Sequence, residues 1–491
     1  MKIEYRLLID FGSTFTKIVA FDMEREELAA RVQTPSTVDI DITKGLLTAI
    51  SMLKEKIPIS EKDIKQAIAC SSAAGGLRMI CIGLVPEYTT EAGKLAALGA
   101  GAKVVGTYSY ELSRSETDEI AKIAPDIILL TGGTDGGNKN TICHNAMMLA
   151  EIGSSIKNII VAGNKSASDE IKSILADTGI SVMFAKNVMP EFGVLDLDPV
   201  NEVIREIFIN HITEAKGIAQ AREMIGDIIM PTPSAVLEAA KLISSGTREE
   251  PGLGELLLVD VGGATTDVYS IASGNPTKSG VSMIGLPEPY AKRTVEGDLG
   301  LYHNLETLEE LDDAFKHAHA TLERTSAISE NPNITSENPN AIPELSDAEL
   351  SSVQSTNPVI ALKASRGVPE GDEQINKHLL LSKRAVAIAV ERHCGKLERR
   401  ITHNGEIWLQ RGKDLTNIGV VLGAGGPVAF SVNPRFVLEG ASMGLDVSLS
   451  LKPRSPSYML DSKYILFAIG LLSLTDPVRA LRIAKKYLSK I

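Results

Sequence analysis

The sequence lacks the features that mark disulfide-bonded, metal-cluster, nucleic-acid-binding and membrane proteins. Net charge is −12 and there is no long basic run, which argues against a general nucleic-acid binder. The longest apolar stretch, Tyr464 to Leu474, is well short of the roughly 18 residues of a membrane span and predicts a buried helix. The cysteines are scattered and form no C-x-x-C pair: Cys70, Cys81, Cys143 and Cys394. Neither a disulfide framework nor a zinc or iron–sulfur site is therefore indicated.

No secretion signal is predicted either, because Asp10 interrupts the first apolar run. We expect a cytoplasmic protein with no nucleic-acid partner and no membrane segment. What the chain does have is an ordinary globular composition, with 44% hydrophobic and 23% charged residues. Its 491 residues predict two to three domain-sized units and exclude a largely disordered chain.

A glycine-containing motif occurs twice. At a fixed offset of 250 residues, five residues of the first copy fall on identical residues of the second: Leu7, Leu8, Asp10, Gly12 and Thr16 on Leu257, Leu258, Asp260, Gly262 and Thr266. In each copy an apolar run predicts a buried strand that ends at the aspartate. Small and hydroxyl residues then predict a tight turn, and the following apolar residues predict a returning strand.

This composition suits phosphate binding. Glycine lets backbone N–H groups approach phosphate oxygens closely, and serine and threonine hydroxyls add donors. Asp10 and Asp260 are suited to a hydrated Mg²⁺, which binds through few carboxylates and several waters. Two such turns facing each other would clamp a triphosphate from both sides. The alternative is that each copy is a simple glycine hairpin without a ligand.

A third glycine element, Val420 to Pro427, predicts a buried strand, a turn and a helix. Gly425 and Gly426 would let a nucleobase and ribose lie against the backbone. Strand–glycine–glycine turns are common, so this element gains weight only from its position after the two phosphate turns.

The order of the three elements resembles the superfamily of acetate and sugar kinases, heat-shock chaperones and actin. There, two ribonuclease-H-like halves close over ATP. The resemblance implies ATP or ADP with Mg²⁺, with Asp10 and Asp260 as catalytic and metal-binding residues. The residues that it assigns to nucleotide binding are Gly12, Ser13, Thr14, Thr16, Lys17, Gly262, Gly263, Ala264, Thr265, Gly423, Gly425 and Gly426.

Two hinge helices should accompany these motifs, at Pro233–Ala240 and Tyr464–Leu471, where small residues permit close packing and shear. One departure matters. In the heat-shock branch an acidic residue precedes the hinge proline, and here that position is Thr232. The sequence leaves open whether Glu238, one or two turns along, replaces it. Nucleotide binding is therefore better supported than hydrolysis.

About 160 residues between the first phosphate motif and the first hinge alternate between short apolar runs and helical stretches. The predicted strands are Ala67–Ser71, Val104–Tyr108, Ile127–Thr131, Ile159–Ala162 and Val182–Ala185, and the predicted helices lie around 90–101, 116–124, 141–152 and 168–178. This alternation predicts an inserted, doubly wound α/β domain. The predicted divisions are 1–69 and 191–255 for the first half, 70–190 for the insertion, 256–460 for the second half and 461–491 for the second hinge helix and return to the first half.

Three further segments remain open. The sequence TGGTDGGN, Thr131 to Asn138, follows a predicted strand of the insertion, where doubly wound sheets bind ligands. It is either a contact site or a flexible connection, and it is not the dinucleotide fingerprint G-x-G-x-x-G. Arg293, Glu296 and Asp298 either line the nucleotide cleft or form a solvated turn. The proline- and asparagine-rich stretch 326–345 predicts a surface loop.

The whole motif set resembles the MutL family of glutamate mutase accessory proteins, from about residue 5 to residue 485. It comprises DFGSTFTK, LLTGGTDGGN, VAGNK, DVGGATTDV, KRTVEGDLG and GAGGPV. The resemblance implies an ATP-driven reactivating factor, a weak ATPase that releases damaged cobalamin from an adenosylcobalamin-dependent mutase. Mutase subunits would be its partners. The pattern D-x-H-x-x-G is absent, so the chain should not hold cobalamin as a mutase subunit does. Two alternatives stay open: a sugar-type kinase with Asp260 as general base, and a nucleotide-gated assembly scaffold without significant turnover.

Overall fold

The computed structural model describes residues 4–38, 40–72, 77–212, 217–301, 372–403, 405–443 and 449–491. The predicted surface loop at 326–345 lies outside these residues. Within the described ranges no helix is long and apolar enough to cross a membrane.

The first half is built on a five-stranded sheet of order β10-β4-β1-β2-β3. Three strands form an antiparallel meander, and two more lie parallel to the first of them. In chain order they are β1 (Tyr5–Phe11), β2 (Phe15–Asp22), β3 (Glu27–Pro35), β4 (Ile68–Ser71) and β10 (Ile228–Pro231). Helices α1 (Ile42–Lys56), α2 (Glu61–Lys65) and α8 (Ile218–Met224) pack on the outer face of this sheet.

The second half repeats this arrangement in the order β14-β12-β11-β17-β18-β19. Again three antiparallel strands are followed by two parallel to the first, with one short antiparallel strand added at the edge. The strands are β11 (Leu256–Val261), β12 (Thr266–Ile271), β14 (Ala291–Glu296), β17 (Val420–Ala424), β18 (Ser457–Leu460) and β19 (Ser489–Lys490). The prediction of duplicated ribonuclease-H-like halves is confirmed.

Helix α10 (Asp372–His393) covers the outer face of the second sheet, with α11 (Gly426–Ala429) and α12 (Pro434–Leu438) beside it. A separate three-stranded sheet, in the order β13-β16-β15, lies at the edge of this half. Its strands are β13 (Val281–Ile284), β15 (Lys396–Thr402) and β16 (Gly405–Arg411).

The two halves share one apolar core. It contains inward-facing residues of both sheets, such as Leu8 and Leu258, together with α9 (Thr232–Ser245), α13 (Leu466–Ser473) and α14 (Pro477–Tyr487). Helices α9 and α13 are the two predicted hinge helices, and they cross each other inside this core.

The insertion is a parallel five-stranded sheet of order β6-β5-β7-β8-β9. Its strands are β5 (Arg78–Gly83), β6 (Lys103–Ser109), β7 (Ile127–Leu130), β8 (Asn158–Val161) and β9 (Ser181–Phe184). Helices α3 (Glu91–Gly99) and α7 (Asp198–Ile212) cover one face, and α4 (Arg114–Ile123), α5 (Asn140–Glu151) and α6 (Ser168–Leu175) cover the other. The predicted doubly wound topology is confirmed, while the proposed domain limits at 70 and 190 stay a prediction.

One strand was assigned to the wrong sheet. The sequence predicts Ala67–Ser71 as a strand of the insertion, but the strand found there, Ile68–Ser71, pairs in parallel with β1 of the first half. The strand between β6 and β7 in the inserted sheet is Arg78–Gly83, which the sequence analysis does not predict. A four-residue apolar run fits either sheet equally well, because its periodicity carries no information about its partner.

Candidate functional site

The two copies of the glycine motif adopt the same turn. Gly12 N–H donates to Phe15 O at 3.0 Å, and Gly262 N–H donates to Thr265 O at 2.8 Å. Neither glycine has a positive φ, so close approach rather than backbone strain is what requires glycine there. A Cβ at Gly12 would lie 2.7 Å from Phe15 O, and one at Gly262 would lie 3.0 Å from Thr265 O.

The two turns, the third glycine turn and both hinge helices meet at one narrow cleft. It encloses about 30 Å³, enough for a water molecule but not for a phosphate chain. The polar lining comes from Asp10, Lys17, Thr232, Asp260, Asp461 and Tyr464, with the backbone of Gly425.

Asp10, near the end of β1, is only 1% exposed, and side chains contact both of its carboxylate oxygens. Its Oδ2 accepts from Lys17 Nζ at 2.9 Å, and its Oδ1 accepts from Thr232 Oγ1 at 2.7 Å. Cys70 Sγ approaches Oδ1 from beneath at 3.8 Å. The ammonium of Lys17 also lies 4.4 Å from the centre of the Tyr464 ring. Burial opposes the charge of Lys17, but Asp10, together with Tyr464 and Asp260, more than offsets this effect and raises the lysine pKa above its usual value.

Asp260, the counterpart of Asp10, lies in a different electrostatic setting. Where β1 and β2 place Lys17 opposite Asp10, the second copy places Asp267 opposite Asp260. Burial and the neighbouring Asp267 raise the pKa of Asp260 to about 7, and Asp461 and Asp10 add to the effect. A cation brought into the cleft would relieve this excess of negative charge.

The remaining predicted residues lie in or beside the three glycine turns and differ in their exposure. Ser13, Thr14 and Ala264 are exposed at the tips of the turns. Gly12 and Gly423 are buried, and a Cβ at Gly423 would meet Leu438. Gly262, Gly263, Thr265 and Gly426 are half-buried beside the turns.

Thr16 lies on the opposite face of β2 from Lys17, because successive strand residues point to opposite sides. It is buried beneath α1, where a Cβ at Gly45 would lie 3.1 Å from Thr16 Oγ1. The structure thus brings Asp10, Lys17, Asp260 and Gly425 together, and it places Thr16 behind them.

The charged segment after the second motif binds a residue of that motif and does not line the cleft. Arg293, 4% exposed, binds Asp267 Oδ1 through Nε at 2.9 Å and through Nη2 at 2.6 Å. Thr265 Oγ1 donates to the other oxygen of Asp267 at 3.0 Å. Glu296 and Asp298 instead bind Arg392 of α10, at 2.7 and 2.8 Å. None of the three predicted residues is part of the cleft lining.

The segment just before α13 contributes two cleft residues, Asp461 and Tyr464, whose roles the sequence analysis does not predict. Asp461, 1% exposed, accepts from the backbone N–H groups of Ile465 and Leu466 and so caps the start of α13. An aspartate just before an apolar helical run is a capping signal that could have identified it. Tyr464 has a φ of 56° and turns its ring toward Lys17. Glu238 pairs with Lys241 at 2.8 Å and is not part of the cleft lining.

The TGGTDGGN loop is fixed by side chains from the two following loops. Asn164 Oδ1 accepts from Gly136 N–H at 3.0 Å, and its Nδ2 donates to Gly137 O at 3.0 Å. Asp135 accepts from Lys165 N–H at 3.1 Å and from Asn187 Nδ2 at 3.0 Å. The motifs TGGTDGGN and VAGNK are therefore two parts of one structure at the carboxyl edge of the inserted sheet.

Comparison with known proteins gives matches along the whole chain. The family model described as MutL protein matches residues 6–366 and 357–488. Protein MutL of Clostridium tetanomorphum is 44% identical over 485 residues, which cover 99% of each chain.

Among solved structures, the xylulose kinase from Bifidobacterium adolescentis aligns over 99% of this chain and 94% of its own, at 10% identity and a TM-score of 0.29. The activator of 2-hydroxyisocaproyl-CoA dehydratase from Clostridium difficile with bound ADPNP aligns over 44% of this chain and 99% of its own, at 13% identity and a TM-score of 0.13. At these TM-scores the two structures carry no argument about the site.

Proposed function

This chain belongs to the MutL protein family, and on that premise we propose that it is a nucleotide-gated accessory protein of an adenosylcobalamin-dependent mutase. It binds Mg·ATP or Mg·ADP between its halves, and exchange of nucleotide changes how it engages the mutase. The mutase is a glutamate mutase or a related aminomutase, and the outcome is release of damaged cobalamin.

One observation carries the nucleotide part of this proposal. Two copies of the same glycine turn, one from each half, place Asp10 and Asp260 on a single cleft, with Gly425 beside them. The chemical groups of the turns and the cleft suit a magnesium nucleotide. Exposed turns with glycine, serine and threonine suit phosphate oxygens. Burial and the neighbouring Asp267 raise the pKa of Asp260, and a divalent cation would stabilise its charged form. Asp10 and Asp260 would hold Mg²⁺ through its waters, and the ion would neutralise phosphate charge.

Lys17 is placed to contact both Asp10 and an entering phosphate. Its ammonium now neutralises Asp10, and it is the cleft cation best placed to turn toward an entering phosphate. We expect nucleotide to bind with the halves further apart about the crossing of α9 and α13, because the enclosed part of the cleft holds only about 30 Å³. Ligand affinity is thereby linked to the angle between the halves, which is what a nucleotide gate needs.

Thr232 favours binding over rapid turnover. Its hydroxyl donates to Asp10, and a threonine cannot act as a general base at neutral pH as a carboxylate can. We therefore expect slow hydrolysis, so that bound nucleotide works chiefly as a conformational ligand. Thr232→Glu should raise the ATPase rate, by about 100-fold or more if the new carboxylate acts as the general base. A rate unchanged from wild type would mean that position 232 does not limit hydrolysis.

Titration calorimetry with Mg·ATP and Mg·ADP tests the nucleotide site. Wild type should bind both, Asp10→Asn should bind at least about 10-fold more weakly, and Gly262→Val should not bind. Gly419→Val is the matched control, because a Cβ at that glycine meets no atom within 4 Å. Absence of nucleotide binding by the wild-type protein, or wild-type affinity in both site variants, would refute the proposal.

The mutase part is tested separately. Mutase loaded with hydroxocobalamin is mixed with the protein and either Mg·ATP or Mg·ADP, and free cobalamin is measured by absorbance after filtration. We expect release with ATP and a difference in mutase affinity between the two nucleotides. Equal affinity without release would favour the assembly scaffold.

A sugar-type kinase has one observation in its favour, since a carboxylate with a pKa of about 7 is suited to general-base work. ATP consumption with a panel of pentoses and hexoses tests it. Detection of a phosphorylated sugar product would favour the kinase over the accessory protein as the function of this chain.

A further inference from the structure

Arg293 connects the second glycine turn to the inserted domain. Besides binding Asp267, its guanidinium donates through Nη1 to Leu98 O at 2.9 Å and to Ala102 O at 3.3 Å. These carbonyls belong to the end of α3 and the turn that follows it. Carbonyls at a helix C-terminus carry partial negative charge, so a cation is favoured there even though Leu98 O also accepts from Gly101 N–H. One buried side chain therefore joins the cleft wall of the second half to a helix of the insertion.

The first half holds the same turn from the other side. Ser234 Oγ, in the first turn of α9, donates to Ala100 O at 2.9 Å. Gly101 has a φ of 89°, and a Cβ there would lie 2.7 Å from Ser234 Oγ and 2.9 Å from Pro231 Cβ. The turn after α3 is thus held between a hinge helix and the second glycine turn, and a change in their separation must displace it or break these contacts.

The opposite end of α3 lies against the TGGTDGGN loop. Thr131, the first residue of that loop, has its Oγ1 at 3.0 Å from Thr89 O, just before α3 begins, and at 2.8 Å from Ile82 O, so its single hydrogen can be donated to either carbonyl. A Cβ at Gly93, in the first turn of α3, would lie 3.2 Å from Thr131 Cγ2. A nine-residue helix is about 13 Å long and moves as a rigid body. The contacts are continuous from Asp267 through Arg293 and α3 to Thr131.

We propose that Arg293 is a positioning residue that couples the angle between the two halves to the conformation of the TGGTDGGN loop, with α3 as the rigid connection. This rests on the proposed function, since nucleotide is what sets the angle. A buried guanidinium that lost Asp267 would remain as an unpaired charge, so the ion pair and the bonds to α3 should move together. The loop would then present its exposed glycines, Gly136 and Gly137, to a protein partner in only one nucleotide state.

Hydrogen exchange of the full chain, followed by mass spectrometry with and without Mg·ATP, tests this relay. In wild type, nucleotide should change the exchange rate of peptides covering 131–139 by at least about fivefold, the lower end of allosteric coupling. In Arg293→Lys the change should fall below about twofold, because a lysine can pair with Asp267 but cannot also serve two carbonyls of α3. The calorimetric affinity for Mg·ATP should stay within about threefold of wild type, since Arg293 does not line the cleft.

Arg392→Lys is the matched control. Arg392 binds Glu296 and Asp298 within the second half, and its variant should keep the full loop response. Ser234→Ala provides a second test if Arg293→Lys does not fold, and it should also reduce the response, because it releases the turn from α9. A full wild-type response in Arg293→Lys or Ser234→Ala would overturn the relay. So would tight nucleotide binding by wild type with no change at 131–139, a result that leaves the proposed nucleotide site intact.

Discussion

The crossing of α9 and α13 gives the sharpest quantitative prediction. Gly470 of α13 lies against the backbone of Ala235 in α9. A Cβ at position 470 would come 2.6 Å from the carbonyl carbon of Ala235 and 3.1 Å from its Cα, whereas ordinary contacts begin at 3.4 Å. Gly470→Ala must therefore push the two helices apart, because a backbone cannot rotate away as a side chain can.

The expected cost combines two opposing effects. Overpacking a close-packed core costs about 1–3 kcal/mol, and a clash with backbone belongs at the upper end of that range. Alanine is about 1 kcal/mol better than glycine in a helix interior, which offsets part of the cost. Gly470→Ala should therefore destabilise the protein by about 2 kcal/mol. Since the crossing helices lie in the core that both halves share, the variant should also bind Mg·ATP more weakly.

Thermal unfolding of the nucleotide-free protein, with calorimetry for the ligand, measures both effects. Gly99→Ala is the control: it is also a helical glycine, but the atom nearest to its added Cβ would be 3.8 Å away. That variant should melt at or slightly above the wild-type temperature. If Gly470→Ala melted as high as Gly99→Ala, close packing at the crossing would not be what requires glycine, and the reasoning would fail.

Three further predictions concern single side chains. The pKa of Asp260 is about 7 in the folded protein and near 3.8 in the unfolded chain, so the free energy of unfolding falls as pH rises between these values. Nucleotide-free Asp260→Asn should therefore have a higher melting temperature than wild type at pH 8, and the same melting temperature at pH 4. Asn164→Ala removes the hydrogen bonds that fix the TGGTDGGN loop and should cost about 1–3 kcal/mol of local stability, seen as faster hydrogen exchange at 132–138, whereas Asn158→Ala should leave that segment unchanged. Asp461→Ala uncaps α13 and should lower the melting temperature by an amount equivalent to about 1–2 kcal/mol, against no change for the exposed Asp177→Ala.

The parts of this structure that could be predicted are those fixed by local sequence. The strand–turn–strand units around Gly12 and Gly262 are short and need no distant partner to define them. Their repetition at one offset predicted the duplication of the fold. Alternating apolar and helical stretches likewise predicted the doubly wound insertion, because each period is a property of one segment.

What could not be predicted depends on contacts between distant residues. The strand Ile68–Ser71 pairs with β1, and its sequence is equally compatible with the inserted sheet. Arg293 lies in a charged segment that suggests a solvated turn, since arginine is almost never fully buried without a partner. The partners, Asp267 and two carbonyls of α3, come from another strand and another domain, so no local pattern indicates them.

The place of α13 in the chain also governs how the protein can be completed during synthesis. The sheets of the first half and the insertion have all their strands once residue 231 has been made. The second sheet must wait for β18 and β19, and α9 must wait for α13, its partner in the shared core. Until then the apolar face of α9 lacks its cover, which makes the growing chain prone to aggregation. Production of this protein should therefore gain from slower synthesis or added chaperones more than its ordinary composition suggests.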